Sequence, residues 1–511
     1  MAYMLEMIML IMLYYILPVF TLFFLHLVGL AFYRLYLHPL SRFPGPRLNA
    51  VSALPCAYSL AKGRHPFNNR LLHEIYGPVV RISPNELIFN SAQAWEDIYG
   101  FKAGGQANLP RDPIHLGSAD PLNGCYPITL ANGADHARQR RALAHAFSDR
   151  ALREHEGIVQ GYVDKLVNHL RQREGEEINL VAWFSMTSFD IIGDLAFGES
   201  FGCLSKDNLA SWYKLNLETF RIAAFEQATR RLAEANSWMQ RLLMALVPSS
   251  MRQLRRDHMA YSREKVVRRL KKENSERPDF IHYILKQKER FTLDENEIIV
   301  NGATFIAAGS ETTSNLLSGL VAQLLFNPDK YEKLCHDIRS NFTHPEEINH
   351  ERASRLPYLN ACLDEALRLK PPVGEGLLRR VPKGGAKIDG HLIPEGTSVA
   401  VDPWSASHNQ TNFRDCDDFV PERWLEDKEN CYAGDQRKAT QPFSVGPQGC
   451  IGKNLAYMEM RLILSHLIWH FDISSTDGAW QWDPTDQMKN LRVFIVWEKP
   501  ALNVMLKVVT R

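Results

Sequence analysis

Near its C-terminus the 511-residue chain reads FSVGPQGCIG, residues 443–452. Cysteine is chemically useful as a thiolate, a form that needs help to exist at neutral pH. Cys450 stands just before an amphipathic run, Asn454 to His470. The N-terminus of such a helix offers free N–H groups and a dipole that favour an anion. Gly446, Gly449 and Gly452 permit tight backbone turns and let a flat ligand approach the main chain. The stretch is expected to present one sulfur anion to something planar. The other seven cysteines (56, 125, 203, 335, 362, 416 and 431) form no C-x-x-C pair. They read as reduced, partly buried thiols, not as a zinc site or a disulfide framework.

A second constellation lies in NEIIVNGATFIAAGSETTSNLLSGLVAQLLFNP, residues 296–328. Glu311 and Thr312, followed by Thr313, set a carboxylate and hydroxyls among apolar residues, where each is costly without a partner or a task. The plain alternative is a threonine bonded back to its own helix and a glutamate in a salt bridge. A third constellation is Glu365 and Arg368 in LPYLNACLDEALRLKPPV; residues three apart share a helix face and can pair. GESFG, residues 198–202, fits the G-x-S-x-G nucleophile elbow. That elbow needs a strand before its serine, whereas the preceding MTSFDIIGDLAF reads as helix, so a hydrolase is not expected.

In this order the stretches resemble the cytochrome P450 haem-thiolate monooxygenases. Phe443, Gly446, Cys450 and Gly452 match the family loop F-x-x-G-x-R-x-C-x-G, with Gln448 at the arginine position. Ala308, Gly309, Ser310, Glu311 and Thr312 match A-G-x-E-T; Glu365 and Arg368 match E-x-x-R; PERW supplies Arg423. The resemblance covers nearly the whole chain and looks most like fungal microsomal members of secondary metabolism, similar to isotrichodermin hydroxylase and its relatives. It implies a mainly α fold with a small β portion and haem b (iron protoporphyrin IX), with Cys450 as axial ligand to the iron. Ala308 and Gly309 would leave room for oxygen, and Glu311 and Thr312 would relay protons. Glu365, Arg368 and Arg423 would lock the fold beneath the haem loop. For the propionates the resemblance implies Arg140 in HARQRR, with His136 at the family's tryptophan position, and Arg379 in GLLRRV. Gln448 would weaken one charge-assisted contact without removing the haem.

The implied reaction inserts one oxygen atom from O2 into an apolar small molecule, or desaturates it. The chain has no G-x-G-x-x-G dinucleotide loop, so electrons are expected from a separate NADPH–cytochrome P450 reductase. Lys453, Arg437 and Lys438 are candidates for its docking face. Phe305 to Ala308, Val373 to Leu378 and the segment after residue 100 are expected to line a greasy pocket. Two rivals stand beside this reading: a haem-thiolate isomerase or dehydratase that needs no external reductant, and a non-catalytic membrane-anchored haem protein.

The elements that must position these groups are mostly helical. From about 130 to 340 apolar residues recur three or four apart, and Asp294 with Glu297 offers a capping box for one long buried helix. AKIDGHLIPEGTSVAV reads as short strands and turns, and RVFIVWE with ALNVMLKVV as a closing strand pair. No βαβ alternation occurs. A formal charge of +1 gives no reason to expect nucleic acid, and the basic stretch 252–272 reads as a solvated helix face.

Met7 to Tyr33 contains no Asp, Glu, Lys or Arg, while Arg34, Arg42 and Arg47 follow. That pattern predicts a single-pass anchor with the catalytic domain in the cytosol, and the resemblance implies that the membrane is that of the endoplasmic reticulum. The expected division is an anchor over 1–35, a proline-rich hinge over 36–50 and a catalytic domain over 51–511. WMQRLLMALVP, residues 238–248, reads equally as a second membrane-touching patch or as core.

Overall fold

The computed structural model describes residues 7, 12–102, 107–115, 122–205, 211–234, 237–245, 247–272, 277–286, 293–426, 431–476, 481–483 and 490–510. The first residues of the expected anchor, and parts of the segment after residue 100, lie outside them. Long apolar runs without proline become helices, as their periodicity predicts. Those that matter to the site are α1 (Leu17–Phe32), α2 (Gly133–Ala144), α3 (Leu180–Phe197), α4 (Ser211–Leu232), α5 (Trp238–Ala245), α6 (Glu295–Phe326), α7 (Pro357–Leu369) and α8 (Lys453–His470).

The span Tyr14–Leu37 around α1 is long and apolar enough to cross a membrane, and none of it is buried against the protein. Its C-terminal end is fastened to the globule. Arg81 on β1 (Val79–Ser83) donates to the Arg34 carbonyl (2.8 Å), and its amide donates to the Pro44 carbonyl (2.8 Å). A side chain on Gly45 would collide with the Arg81 carbonyl, so the proline-rich segment lies hard against the sheet.

That sheet has the order β1–β2–β7–β4, with β2 (Glu86–Phe89), β7 (Ser398–Val401) and β4 (Arg379–Arg380). The β2–β7 pair is parallel and brings residues more than 300 positions apart into register, Leu87 opposite Val399. The expected strands of AKIDGHLIPEGTSVAV are β5 (Ala386–Ile388) and β6 (His391–Ile393), paired as a hairpin, followed by β7.

The closing strands differ from expectation. RVFIVWE is not one strand but a tight hairpin of β9 (Arg492–Phe494) and β10 (Val496–Glu498). It reverses at Ile495, whose φ of 67° is rare for a β-branched residue. The cause lies in another segment: Ile495 N–H donates to Glu375 Oε1 (3.1 Å), and its carbonyl accepts from Gly374 N–H (3.1 Å). With both backbone groups taken, the ladder cannot continue. β11 (Asn503–Val508) pairs instead with β8 (Phe471–Ser475) and β3 (Glu177–Asn179).

The core's centre is α6. Asp294 caps it, accepting from Glu297 N–H (2.8 Å), while Glu297 reaches back to Asp294 N–H (3.1 Å), the expected capping box. α3 crosses it closely: a Cβ on Gly309 would lie 2.6 Å from the Ile192 side chain. The smallness of Gly309 therefore serves helix packing as well as the cleft. The basic stretch is a helix, Ser249–Leu270, with a solvated face and an ion-paired inner one, where Arg269 meets Asp279 and Lys265 meets Glu199.

Candidate active site around Cys450

The loop before α8 is built by its glycines. Gly446 has φ 72°, and a side chain there would strike the Tyr99 carbonyl, so only glycine fits. The turn closes with Gly449 N–H to the Gly446 carbonyl (3.1 Å) and Cys450 N–H to the Phe443 carbonyl (2.8 Å). Cys450, two residues before the N-cap Gly452 of α8, remains accessible. Desolvation by the atoms packed around the sulfur pushes its thiol pKa up even though the side chain is exposed; the Gly452 N–H, Arg140 and Lys453 pull it down. Phe443 stacks in tilted fashion on Tyr457, bracing the start of the loop against α8.

A second feature is a strip of α6 that escapes the burial of its neighbours. Most of that helix is buried, yet Ala308 is exposed and Thr304, Ala307, Gly309 and Thr312 are half-buried. Four of these, 304, 307, 308 and 312, follow the three-and-four spacing of one helix face, so the strip is the wall of a cleft. Thr312 lies on it, its hydroxyl donating to the Ala308 carbonyl (2.7 Å). Glu311 does not: its side chain is buried behind the wall and pairs with Lys499 Nζ at 3.0 Å. The bonding thus follows the plain alternative drawn from the sequence, and the two residues do not touch each other's side chains.

On another side of the cleft four basic groups gather. Arg140 on α2 donates to the Gly449 carbonyl (2.6 Å), which ties α2 to the cysteine loop. His136, one turn earlier, is buried; desolvation, then Arg111, Arg140 and Arg379, press its pKa down to about 4. Arg379 on β4 is almost wholly buried over the Tyr99 ring and bonds only its neighbours' carbonyls, leaving Nη2 without a partner among the described residues. Arg111 pairs with Arg379 through a backbone bridge and donates weakly to the Ala131 and Ile128 carbonyls. Burial and then Arg379 drive its pKa well down. Asp112 next door is engaged by Arg380 and Ser398. Buried cations that depress one another, with no carboxylate among the described residues to offset them, fit an anion with more than one carboxylate. Gln448 Oε1 is buried without a partner among the same residues, and a half-turn of the amide would offer N–H donors instead.

Beneath the loop the third constellation closes on itself. Arg368 makes a two-point contact with Glu365 (2.8 and 2.7 Å) and donates to the carbonyls of Ser407, Cys416 and Asp418. Arg423 donates to Glu365 (3.1 Å) and pairs with Asp435. Val420 N–H and Trp424 Nε1 complete the carboxylate's shell, both at 2.9 Å. Burial alone would raise the Glu365 pKa; Arg368 and then Arg423 outweigh it, and the carboxyl sits below its ordinary value. By contrast Ser200 of GESFG follows a helix, not a strand, and donates to Asp190 (2.9 Å).

Sequence reasoning named Cys450, Phe443, Gly446, Gln448, Gly452, Ala308, Gly309, Thr312, His136, Arg140 and Arg379; of these the structure ties Arg140 to the cysteine loop through Gly449, sets His136 beside Arg111, Arg140 and Arg379, and puts Ala308 and Thr312 on one strip of α6. Sequence reasoning missed Arg111, Lys499 and Asp435. No spacing rule could have found Asp435 or Lys499, which arrive through tertiary contact. Arg111, in LPRDP at the edge of the expected pocket segment, was within reach.

Comparison with known proteins agrees with this geometry. The family model Cytochrome P450 matches residues 46–502. Cytochrome P450 monooxygenase aba2 of Botryotinia fuckeliana (strain B05.10) is 44% identical over 497 residues, covering 95% of this chain and 93% of the relative. Cytochrome P450 monooxygenase astA of Talaromyces wortmannii is 40% identical over 478 residues, 93% of each chain. Cytochrome P450 monooxygenase traB of Penicillium crustosum is 40% identical over 490 residues, 94% of each. With a match across nearly its whole length, the chain belongs to the haem-binding cytochrome P450 family and is a monooxygenase, an oxidoreductase.

Proposed function

We propose that the chain is a haem-thiolate monooxygenase that oxidises an apolar small molecule in fungal secondary metabolism, with haem b held by Cys450. The observation that carries this is the Cys450 thiol, presented at a helix N-terminus beside basic groups that lack a counter-anion. Haem, when bound, supplies the activation of O2 and the insertion of one of its atoms. The chain's own residues do the rest. The Gly452 N–H, Lys453 and Arg140 stabilise the Cys450 anion against its desolvation. Arg111, Arg140, Arg379 and His136 hold the propionates, with the Gln448 amide donating where the family has an arginine. Ala308 keeps the oxygen side open, and Gly309 lets α6 run close to α3 there. Thr312, with Glu311 behind it, passes protons into the cleft. Glu365, Arg368 and Arg423 fix the loop that carries the sulfur.

Electrons come from an NADPH-dependent reductase. Lys453, Arg437 and Lys438 are all exposed on the cysteine side and suit an acidic partner. The substrate pocket is lined by Phe305 to Ala308 and Val373 to Leu378. The membrane reading is supported by a second apolar surface. Trp238, Met239 and Leu242 of α5 are exposed, and so are Leu54 and Tyr58 on the helix Leu54–Ala61 that packs against α4. These fit a globule resting on the cytosolic face of the endoplasmic reticulum membrane.

The decisive experiment is the carbon monoxide spectrum of the reduced protein. Wild type gives the thiolate-type band, and Cys450→Ala loses it; an unchanged band in Cys450→Ala removes the ligand assignment. Product formed from a hydroperoxide without reductant would favour the isomerase or dehydratase reading.

A further inference from the structure

Glu311 and Lys499 are an unequal pair. Lys499 follows β10 and lies 188 positions from Glu311 in the chain. Its ammonium meets Glu311 Oε2 at 3.0 Å, Ser314 Oγ at 2.5 Å and Ser185 Oγ at 3.3 Å. Its three N–H bonds therefore have acceptors on both α6 and α3, and the side chain is fully enclosed. The carboxylate is held from one side only: Glu311 Oε1 is buried with no hydrogen-bond partner among the described residues. The cation is pinned, and the anion is the member with freedom to turn. One residue further along, about 100° around the helix, Thr312 lies on the cleft wall.

We propose that Lys499 is the positioning residue for Glu311, holding it as an anion behind the cleft wall, and that Glu311 serves Thr312 only when it leaves Lys499. The proposal rests on the proton relay put forward above. It makes the β10–β11 link part of the catalytic apparatus. A merely structural ion pair would be felt in stability and nowhere else.

The test uses full-length, haem-loaded protein with its reductase, NADPH and oxygen, and three variants: Lys499→Met, Lys499→Arg and Lys499→Met/Glu311→Gln. Without the cation a buried carboxylate takes up a proton. Lys499→Met is expected to show an infrared band of a protonated carboxyl, absent from wild type and from the double variant. The solvent deuterium isotope effect on NADPH oxidation should change at least twofold in Lys499→Met and hold its wild-type value in Lys499→Arg. Should Lys499→Met fail to accumulate, Lys499→Gln, which keeps a donor and drops the charge, is read in its place. A lowered unfolding temperature with no new carboxyl band and a wild-type isotope effect overturns the proposal. So does Lys499→Arg behaving like Lys499→Met. Failure of the underlying haem-thiolate reading shows elsewhere, as a wild-type protein without the thiolate-type carbon monoxide spectrum.

Discussion

Two groups of buried arginines lie on either side of the cysteine loop, and they are built on opposite plans. Arg368 and Arg423 are wholly buried, and their guanidinium groups meet carboxylates or backbone carbonyls: Glu365, Asp435 and the carbonyls of Ser407, Cys416, Asp418, Arg414 and Asp415. Arg111 and Arg379 are nearly as buried, yet lie side by side with carbonyls and the Tyr99 ring for company and no carboxylate among the described residues. Burying a charge is tolerable when it is paired and costly when it is not. The first group is therefore complete within the chain, whereas the second is complete only with a ligand. One is a rivet and the other a socket, and the difference can be read from hydrogen-bond partners alone.

The contrast can be broken most forcefully at Glu365. Glu365→Ala strands two buried arginines at once and should cost about 3–5 kcal/mol or more. The expected outcome is little folded protein, with or without haem precursor, in a solubility and thermal-unfolding assay. Arg379→Met should behave in the reverse sense. Removing an unpaired buried cation leaves the haem-free chain at least as stable, while lost charge-assisted contacts weaken haem retention about 10- to 100-fold. Transfer of haem to an apo-acceptor protein measures that loss. Equal destabilisation of the haem-free chain by both changes would erase the distinction.

Gln448→Arg is a smaller probe. Restoring the family's charge should slow haem loss by less than about tenfold, and should lower the unfolding temperature of the haem-free chain by crowding the socket further. The smallest effect concerns pH. His136 has its pKa pressed to about 4 in the fold, against an ordinary value of 6.5. The unfolded chain thus takes up this proton first. The stability contribution is intact above pH 6.5 and drains away as pH falls toward 4. His136→Gln should flatten that part of the haem-free stability profile. Haem should flatten it too, because propionates beside His136 favour its charged form. Unfolding temperatures across that window, with and without haem, decide the point.

Legibility from sequence followed the range of the forces involved. The cysteine loop, the Glu365–Arg368 step and the Asp294–Glu297 capping box are local, set by spacing of three to ten residues, and each was readable. The helical majority was readable for the same reason. Arg111 escaped because its significance comes from a neighbour 268 positions away on β4. Lys499 and Asp435 escaped likewise. RVFIVWE looks like an unbroken strand because its five inner residues, Val493 to Trp497, all favour one; the break at Ile495 is imposed by Glu375 and Gly374. Where one segment dictates another's backbone, periodicity carries no trace of it.

The fastening of Arg34 and Pro44 to β1 through Arg81 has a mechanical consequence. A chain linked to a lipid layer by a limp tether would tumble freely above it, and its doorway would meet dissolved and lipid-borne molecules alike. Here the stalk is bolted to the wall of the house. Were Tyr14–Leu37 set across a bilayer, its tilt would pass to the β1–β2–β7–β4 sheet through these bonds, and loosening Arg81 would slacken that hold.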